Sequence, residues 1–229
     1  MGVTSPPNRR ISWQPCYRLV PSLYPSKGLF DRVADPADID SLIEAEAETN
    51  PRVRQQLGEM SVIPPIDRLR GPGSTPIMAA FTHLNPNGSR FSDGSFGIFY
   101  AGRALATAIR ETKYHRERFL SETKRGPMHL HMRIYAAKLS GSLHDIRGMR
   151  ASLPKVYDPN SYVESRKFGI RLRSEGSWGI VYDSVRDPGG QCAAVFRPRA
   201  LSRCREIGHL LYHWDGTRIG AVFQELERA

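Results

Sequence analysis

Hydrophobic and polar residues alternate most clearly in the segment where Met128, Leu130, Met132, Ile134 and Ala136 share one side. A period of two is typical of a strand with one buried face. Shorter apolar runs bounded by glycine, proline or serine predict further strands at residues 13–20, 97–101, 179–182, 191–196, 209–215 and 218–225. Residues 89–91 predict one more short extended segment.

Helical spacing dominates residues 104–120, where Leu105, Ala108, Ile109 and Thr112 fall on one face and Glu111 lies at its border. Residues 161–174 predict a second helix, and residues 38–60 have a helical composition that Pro51 divides into two. Strands outnumber helices and do not alternate with them. The pattern therefore predicts an α+β domain with largely antiparallel sheets.

The length of 229 residues favours one compact domain, and a hydrophobic content of 40% is sufficient for a core. We expect a disordered lead-in at residues 1–12 and a single domain at 13–229, with a helical insert at about 36–75. No apolar run is long enough for a membrane span, and the N-terminus lacks the apolar centre of a secretory signal. The three cysteines lack CxxC spacing, which favours a reducing, cytoplasmic setting.

The net charge of +10 is compatible with a nucleic acid, an anionic small molecule or an acidic protein as partner. The arginines are dispersed in pairs, and aromatic residues do not alternate with them as in a surface on which bases stack. A non-enzymatic, basic nucleic-acid-binding protein therefore remains as the alternative from another functional class.

Several familiar signatures are absent, including the phosphate-binding loop, the dinucleotide-binding glycine motif, the hydrolase nucleophile elbow and the zinc protease motif. His129 and His131 could face one ion, but no second ligand cluster accompanies them, so we expect no metal. Ser184 has no base near it in the sequence. Its spacing predicts a hydroxyl that bonds a turn, or a bound phosphate beside Arg186, and not a nucleophile.

Arg90, Tyr100 and Glu111 remain as an arginine, an aromatic ring and a carboxylate on successive predicted elements. Each has an ordinary structural explanation. Arg90 could extend to solvent, Tyr100 could be a core residue, and Glu111 could pair with His115 one helical turn later.

Two long blocks of this chain resemble the RES domain, a family named for a conserved arginine, glutamate and serine. The blocks read GSRFSDGSFGIFYAGRALATAIRET and GIVYDSVRDPGGQCAAVF, and the three letters fall on Arg90, Glu111 and Ser184. An opening CYRLVPS resembles the first strand of the family and carries Arg18. The resemblance covers about residues 14–226, apart from the helical insert.

The resemblance implies a fold like that of the diphtheria-type ADP-ribosyltransferases, with two small, mainly antiparallel sheets and flanking helices. It also implies an NAD-consuming toxin of a bacterial toxin–antitoxin pair, which degrades NAD by phosphorolysis or hydrolysis and so arrests growth. Transfer of ADP-ribose to a cellular protein is the alternative reaction. The implied partner is an Xre-like antitoxin that occludes the active site, and nucleic acid is reached only through that partner.

The residue types agree with an NAD site. A guanidinium binds phosphate oxygens in pairs and keeps its charge, which suits Arg90, helped by Arg18, for the pyrophosphate. Supporting contacts with NAD are expected from Ser184 and Arg186.

Two further roles follow from the chemistry of the bond to be broken. The face of Tyr100 could stack on the nicotinamide cation. Positive charge develops on the ribose when the nicotinamide leaves, and the Glu111 carboxylate would stabilise it. Phosphate, water or a protein side chain could then accept the ADP-ribosyl group, and the sequence does not choose among them.

Overall fold

A computed structural model describes residues 5–22 and 60–225, and its first strand begins earlier than expected. β1 starts at Asn8, so residues 8–12 are part of a strand and not of a disordered lead-in. They pair with residues 140–144 of a later strand, a long-range contact that local composition does not reveal. Residues 1–4, and residues 36–59 of the predicted helical insert, lie outside the described residues.

The described part of the chain contains seven strands and three α-helices. In chain order these are β1 (Asn8–Pro21), α1 (Ser74–Thr82), β2 (Phe99–Gly102), α2 (Leu105–Glu122), β3 (Met128–Asp145), α3 (Val163–Ser174), β4 (Gly179–Asp183), β5 (Gln191–Val195), β6 (Leu201–Trp214) and β7 (Ile219–Glu225). Short 3-10 turns occur at Met60–Val62, Pro65–Asp67 and Pro198–Ala200. None of the helices in this part of the chain has the length and apolar character needed to cross a membrane.

Helix α1 begins at Ser74, inside a stretch at residues 64–76 that is rich in proline and glycine. Pro76 is tolerated because it falls in the first turn, where a backbone N–H has no helical partner. Gly73 precedes the helix with φ of 80°, and a Cβ there would lie 2.2 Å from the carbonyl oxygen of Cys204. Only glycine fits this close approach.

The described strands form one sheet in the order β1-β2-β5-β4-β3-β6-β7, and β1 also pairs with β3. The prediction of two small sheets is therefore wrong. The pairings are antiparallel except for a short parallel contact between β3 and β4, so the largely antiparallel character is confirmed.

The length of β3 explains the single sheet. Its first part, Met128 to Leu139, pairs with β6, and its end, at His144 and Asp145, pairs with β4. The alternating pattern ends at residue 136 because residues 134–137 are all buried, so both faces of the strand are covered there. One long strand therefore connects what the sequence predicts as separate sheets.

Each helix packs against its own apolar cluster. Phe81 of α1 joins the cluster that contains Phe99, while Phe168 of α3 joins the cluster that contains Tyr182. Ala108 of α2 belongs to a third cluster, formed mainly by β3 and β6. Successive residues of β2, β4 and β5 alternate between the first two clusters, as the period of a strand requires.

Candidate active site

Helix α2 carries Glu111 and begins directly after β2. Gly102 permits this close junction, because a Cβ on it would lie 2.7 Å from the backbone nitrogen of Ala108. Ala108 and Leu120 are buried, and Glu111 is half-buried on a neighbouring side of the helix. The carboxylate is therefore at the edge of the packed core, where the helical spacing places it.

Ser184 meets this carboxylate from a loop that follows β4. Its Oγ donates a 2.6 Å hydrogen bond to Oε1 of Glu111. Oγ of Ser184 also accepts hydrogen bonds from the backbone N–H groups of Arg186, at 3.1 Å, and Asp187, at 2.8 Å. A hydroxyl has one proton and two lone pairs, and all three are used here. The Ser184 hydroxyl therefore bonds its own turn and Glu111, while the contact of Ser184 with NAD stays a prediction.

Cys192 on β5 is a neighbour of Glu111 that the sequence analysis missed. Its Sγ lies 3.8 Å from Oε1 of Glu111. Burial, followed by the charge of Glu111, raises the pKa of the Cys192 thiol well above its ordinary value, so the thiol stays protonated. The alternation along residues 191–195 could have indicated which face it occupies, but not which helix covers that face.

Arg90 is buried, with 7% of its surface exposed, and it holds a neighbouring loop. Its Nη1 donates to the carbonyl oxygens of Val156, at 3.2 Å, and Asp158, at 3.0 Å. Its guanidinium lies 4.5 Å from the ring centre of Tyr162. One nitrogen of the predicted phosphate-binding fork is therefore already bonded to backbone.

The charges of Arg90 and Glu111 both influence the pKa of the buried Tyr182 phenol. Burial raises the pKa of Tyr182 well above its ordinary value; the charge of Glu111 raises it further and that of Arg90 lowers it. The opposite charges of Glu111 and Arg90 are therefore both felt at this one buried phenol.

Tyr100 supports the loop that carries Arg90. Its hydroxyl lies 2.8 Å from Oγ of Ser89 and accepts the backbone N–H of Phe91 at 3.0 Å. Burial raises the pKa of Tyr100 to about 12, so the phenol is neutral at neutral pH. These contacts hold the side chain of Ser89 and the backbone of Phe91, the residues on either side of Arg90, while stacking of Tyr100 on nicotinamide stays a prediction.

Arg18 has different neighbours. Its Nη1 donates to the backbone oxygen of Tyr100 at 3.3 Å, and its guanidinium lies 4.9 Å from the ring centre of Phe99. Side chains of Phe99 and Tyr100 point to opposite faces of β2. Burial lowers the pKa of Arg18 to about 10, which leaves it charged at neutral pH. The joint action of Arg18 and Arg90 on one phosphate stays a prediction.

Arg186 and His115 complete the surroundings of Glu111. The Arg186 guanidinium stacks 3.3 Å from the ring centre of Tyr114 and donates to the carbonyl of Pro159. Desolvation lowers the pKa of His115 to about 4, the charges of Arg90 and Arg186 lower it further, and Glu111 opposes them. His115 is neutral at neutral pH, so its proximity to Glu111 is not an ion pair.

The two strand histidines considered as metal ligands do not form a larger cluster. His129 and His131 are exposed, and Nε2 of His129 lies 3.1 Å from Nδ1 of His213 on β6. Within residues 5–22 and 60–225, no group of three or more histidine, cysteine, aspartate or glutamate side chains is arranged to hold a metal ion.

Comparison with known proteins identifies relatives of the chain. The RES domain profile matches residues 65–215, a range that contains all the predicted site residues except Arg18. A protein of Sinorhizobium fredii (strain NBRC 101917 / NGR234), "Uncharacterized protein y4oC", is 32% identical over 209 residues, which are 90% of this chain and 86% of that protein.

One solved structure also shows a distant likeness. It is titled as the crystal structure of the M. tuberculosis MbcT–MbcA toxin–antitoxin complex. The aligned chain is 10% identical, with 91% of this chain and 87% of that chain covered and a TM-score of 0.46.

Proposed function

The chain belongs to the RES domain family, and from this premise we propose that it is an enzyme that breaks the nicotinamide–ribose bond of NAD. The observation that carries the proposal is the 2.6 Å hydrogen bond from Ser184 to Oε1 of Glu111. It fixes a half-buried carboxylate one helical turn from His115, whose ring feels the charges of Glu111, Arg90 and Arg186 together. A fixed carboxylate beside cationic groups suits a substrate that has a phosphate part and a ribose part.

In the proposed reaction Glu111 acts on the ribose. The bond between ribose C1′ and the nicotinamide nitrogen breaks, its electron pair leaves with nicotinamide, and positive charge develops on the sugar. The contacts described above reach Oε1 of Glu111, so Oε2 is the oxygen that would face the ribose. A carboxylate already held in place stabilises the developing charge without reorganising.

The phosphates of NAD would bind to the guanidinium groups. Nη1 of Arg90 is bonded to backbone oxygens, which leaves its other nitrogens for a phosphate oxygen. Arg186 supplies a second positive charge from the loop of Ser184. A guanidinium keeps its charge at any physiological pH, so both groups can bind the pyrophosphate throughout the working range.

We further propose that the enzyme acts as the toxin of a toxin–antitoxin pair. An enzyme that drains NAD harms its own cell unless a partner, here an Xre-like antitoxin, covers Arg90 and Glu111. The net charge of +10 would speed the approach of an acidic segment of such a partner. The complex should then cleave NAD more slowly than the free protein, and association should slow as salt rises.

The test is NAD consumption by the purified protein, with the products resolved by mass. ADP-ribose 1″-phosphate formed only with phosphate indicates phosphorolysis, free ADP-ribose indicates hydrolysis, and a mass increase on a protein indicates ADP-ribosyl transfer. Salt-dependent DNA binding, measured in parallel, tests the nucleic-acid alternative. If NAD is not consumed under any of these conditions, the proposal is wrong.

A further inference from the structure

Asp187, which directly follows Arg186 and lies three residues after Ser184, is a buried charged residue with 9% of its surface exposed. Its Oδ2 accepts the hydroxyl of Thr107 at 2.6 Å, and its Oδ1 accepts Nη1 of Arg110 at 2.6 Å. Both donors belong to α2, the helix that carries Glu111. We call this set of three residues the Asp187 bridge.

The backbone of Asp187 is connected to Ser184 in a compact turn. The N–H of Asp187 donates to Oγ of Ser184 at 2.8 Å, and the N–H of Ser184 donates to the carbonyl of Gly190 at 2.8 Å. The N–H of Gly190 in turn donates to the carbonyl of Asp187 at 2.9 Å. One residue therefore bonds the serine through its backbone and the helix through its side chain.

Gly190 shows how closely the bridge is packed. A Cβ at this position would lie 2.5 Å from Oδ2 of Asp187 and 2.7 Å from Oγ1 of Thr107. Both contacts are shorter than carbon and oxygen atoms tolerate, so glycine is required for the carboxylate to reach the helix. The loop is thereby held at a defined distance from α2.

The spacing on α2 connects the bridge to the carboxylate. Thr107 precedes Glu111 by four residues, which places both on the same side of the helix one turn apart. The loop is thus attached to α2 at two neighbouring places, by Asp187 to Thr107 and by Ser184 to Glu111.

We propose that Asp187 is a positioning residue, which holds the Ser184 hydroxyl at hydrogen-bond distance from Glu111 through its bridge to Thr107 and Arg110. The catalytic consequence rests on the proposed function. If the bridge is lost, the turn moves away from α2 and Glu111 loses the bond that orients it. Displacements of about 1 Å around reacting groups can lower a rate by about 100-fold, so a partial shift should lower kcat clearly.

The main experiment is a double-mutant cycle on kcat and KM for NAD. Asp187→Asn should lower kcat by about 10-fold with KM changed by less than about twofold, and Ser184→Ala should lower kcat by a similar factor. Because Asp187 acts through Ser184, adding Asp187→Asn to Ser184→Ala should cost less than about a further twofold. Fully additive losses would overturn the proposal.

Thr107→Val keeps the shape of the side chain and removes only the hydroxyl, so it tests the bridge if Asp187→Asn does not fold. The matched control is Asp67→Asn. Asp67, 2% exposed, accepts hydrogen bonds from Arg197 and Arg199, both at 2.7 Å, and contacts neither Ser184 nor Glu111 through them. The control should lower stability and leave kcat unchanged. A similar loss of kcat in the control would indicate a general effect of losing a buried carboxylate and would overturn the proposal.

A second measurement does not depend on activity. The backbone amides of Arg186 and Asp187 both donate to Ser184 Oγ, so their hydrogen exchange reports whether the turn is held. Exchange should be at least about 10-fold faster in Asp187→Asn and Thr107→Val and unchanged in Asp67→Asn. Unchanged exchange in the first two variants would refute the positioning role. If the parent protein consumes no NAD, the proposed function fails, and exchange alone decides this inference.

Discussion

Two buried aspartates make the same kind of contact in different parts of the molecule. Asp67 joins the turn at Pro65–Asp67 to Arg197 and Arg199, and Asp187 joins the Ser184 loop to Thr107 and Arg110. The contact distances, 2.7 Å for Asp67 and 2.6 Å for Asp187, are nearly equal. What differs is the group at the other end of the connection.

The Asp67 bridge, formed by Asp67, Arg197 and Arg199, connects two structural segments, and its hydrogen bonds do not involve Glu111 or Ser184. Arg197 directly precedes the short turn at Pro198–Ala200 and Arg199 lies within it, and both carry partly exposed guanidinium groups. The Asp187 bridge ends on the helix of Glu111 and, through the backbone, on the hydroxyl that bonds Glu111. A buried carboxylate is therefore informative about function only when the groups it connects are known.

The largest effect that separates the two regions is expected at Glu111. Glu111→Gln keeps an oxygen for the Ser184 hydroxyl and removes the charge that stabilises the ribose cation. We expect kcat for NAD cleavage to fall by about 100-fold or more, with NAD still bound and the melting temperature little changed. Glu122→Gln, on the exposed side of the same helix, is the control and should be fully active. A Glu111→Gln variant with near-normal turnover would remove Glu111 from the reaction.

A smaller effect is expected at Arg90. Arg90→Lys keeps the charge and loses the planar fork, which should weaken NAD binding by about 1–3 kcal/mol, and Arg90→Ala should be worse. Titration calorimetry on the Glu111→Gln background measures binding without turnover. Arg166→Lys is the control, because Arg166 holds the loop that carries Arg90, by bonds to the carbonyls of Ser89 and Asn87. Equal weakening in the control would assign Arg90 a structural role.

Loss of the Asp67 bridge should lower the stability of the protein and leave kcat unchanged. Asp67→Asn leaves two guanidinium groups without their buried counter-charge, which should lower the free energy of unfolding by about 2 kcal/mol, since both groups are partly exposed. Urea unfolding measures the loss, and kcat per folded molecule should be that of the parent. If the variant has a lower kcat than the parent at urea concentrations below the unfolding transition, the distinction between the two regions is wrong.

The smallest expected effect is a dependence of the free energy of unfolding on pH, caused by His115. The pKa of His115 is about 4 in the folded protein, below its ordinary value of 6.5, so the unfolded chain binds a proton first as the pH falls. Stability should therefore decrease from pH 6.5 towards pH 4, and only slightly, because the residue as a whole is exposed although Tyr114 and Tyr162 lie beside its ring. His115→Gln should lose less stability between pH 7 and pH 5 than the parent in urea unfolding. Equal losses of stability in His115→Gln and the parent would show that a group other than His115 causes the pH dependence.

Local periodicity predicted the elements that bury one face against near neighbours. α2 begins at Leu105 and β3 at Met128, each within a residue of where the spacing begins. The half-buried position of Glu111 also follows from spacing alone. Where both faces are covered, the signal disappears: the pattern ended at residue 136, and β3 continues to Asp145.

The contacts that define the candidate site were decided by tertiary structure. Ser184 and Glu111 are 73 residues apart, and Asp187 and Thr107 are 80 apart. Only the order β1-β2-β5-β4-β3 brings the loop after β4 next to α2. The family resemblance indicated that Glu111 and Ser184 are functional residues. Neither the resemblance nor the spacing predicted that the Ser184 hydroxyl donates a hydrogen bond to the Glu111 carboxylate.

By itself, the sequence determined the elements that bury one face, such as α2 and the first part of β3, because burial of one face imposes a period of 2 or 3.6 on neighbouring positions. It also determined the types of chemical group available, including Glu111, Arg90 and Ser184. Tertiary structure alone decided the single sheet, the contact of Arg18 with Phe99, and the placement of Cys192 beside Glu111 and of Asp187 beside Thr107. The reason is physical: pairing between distant strands depends on hydrogen bonds and packing across the whole chain, which no local period records.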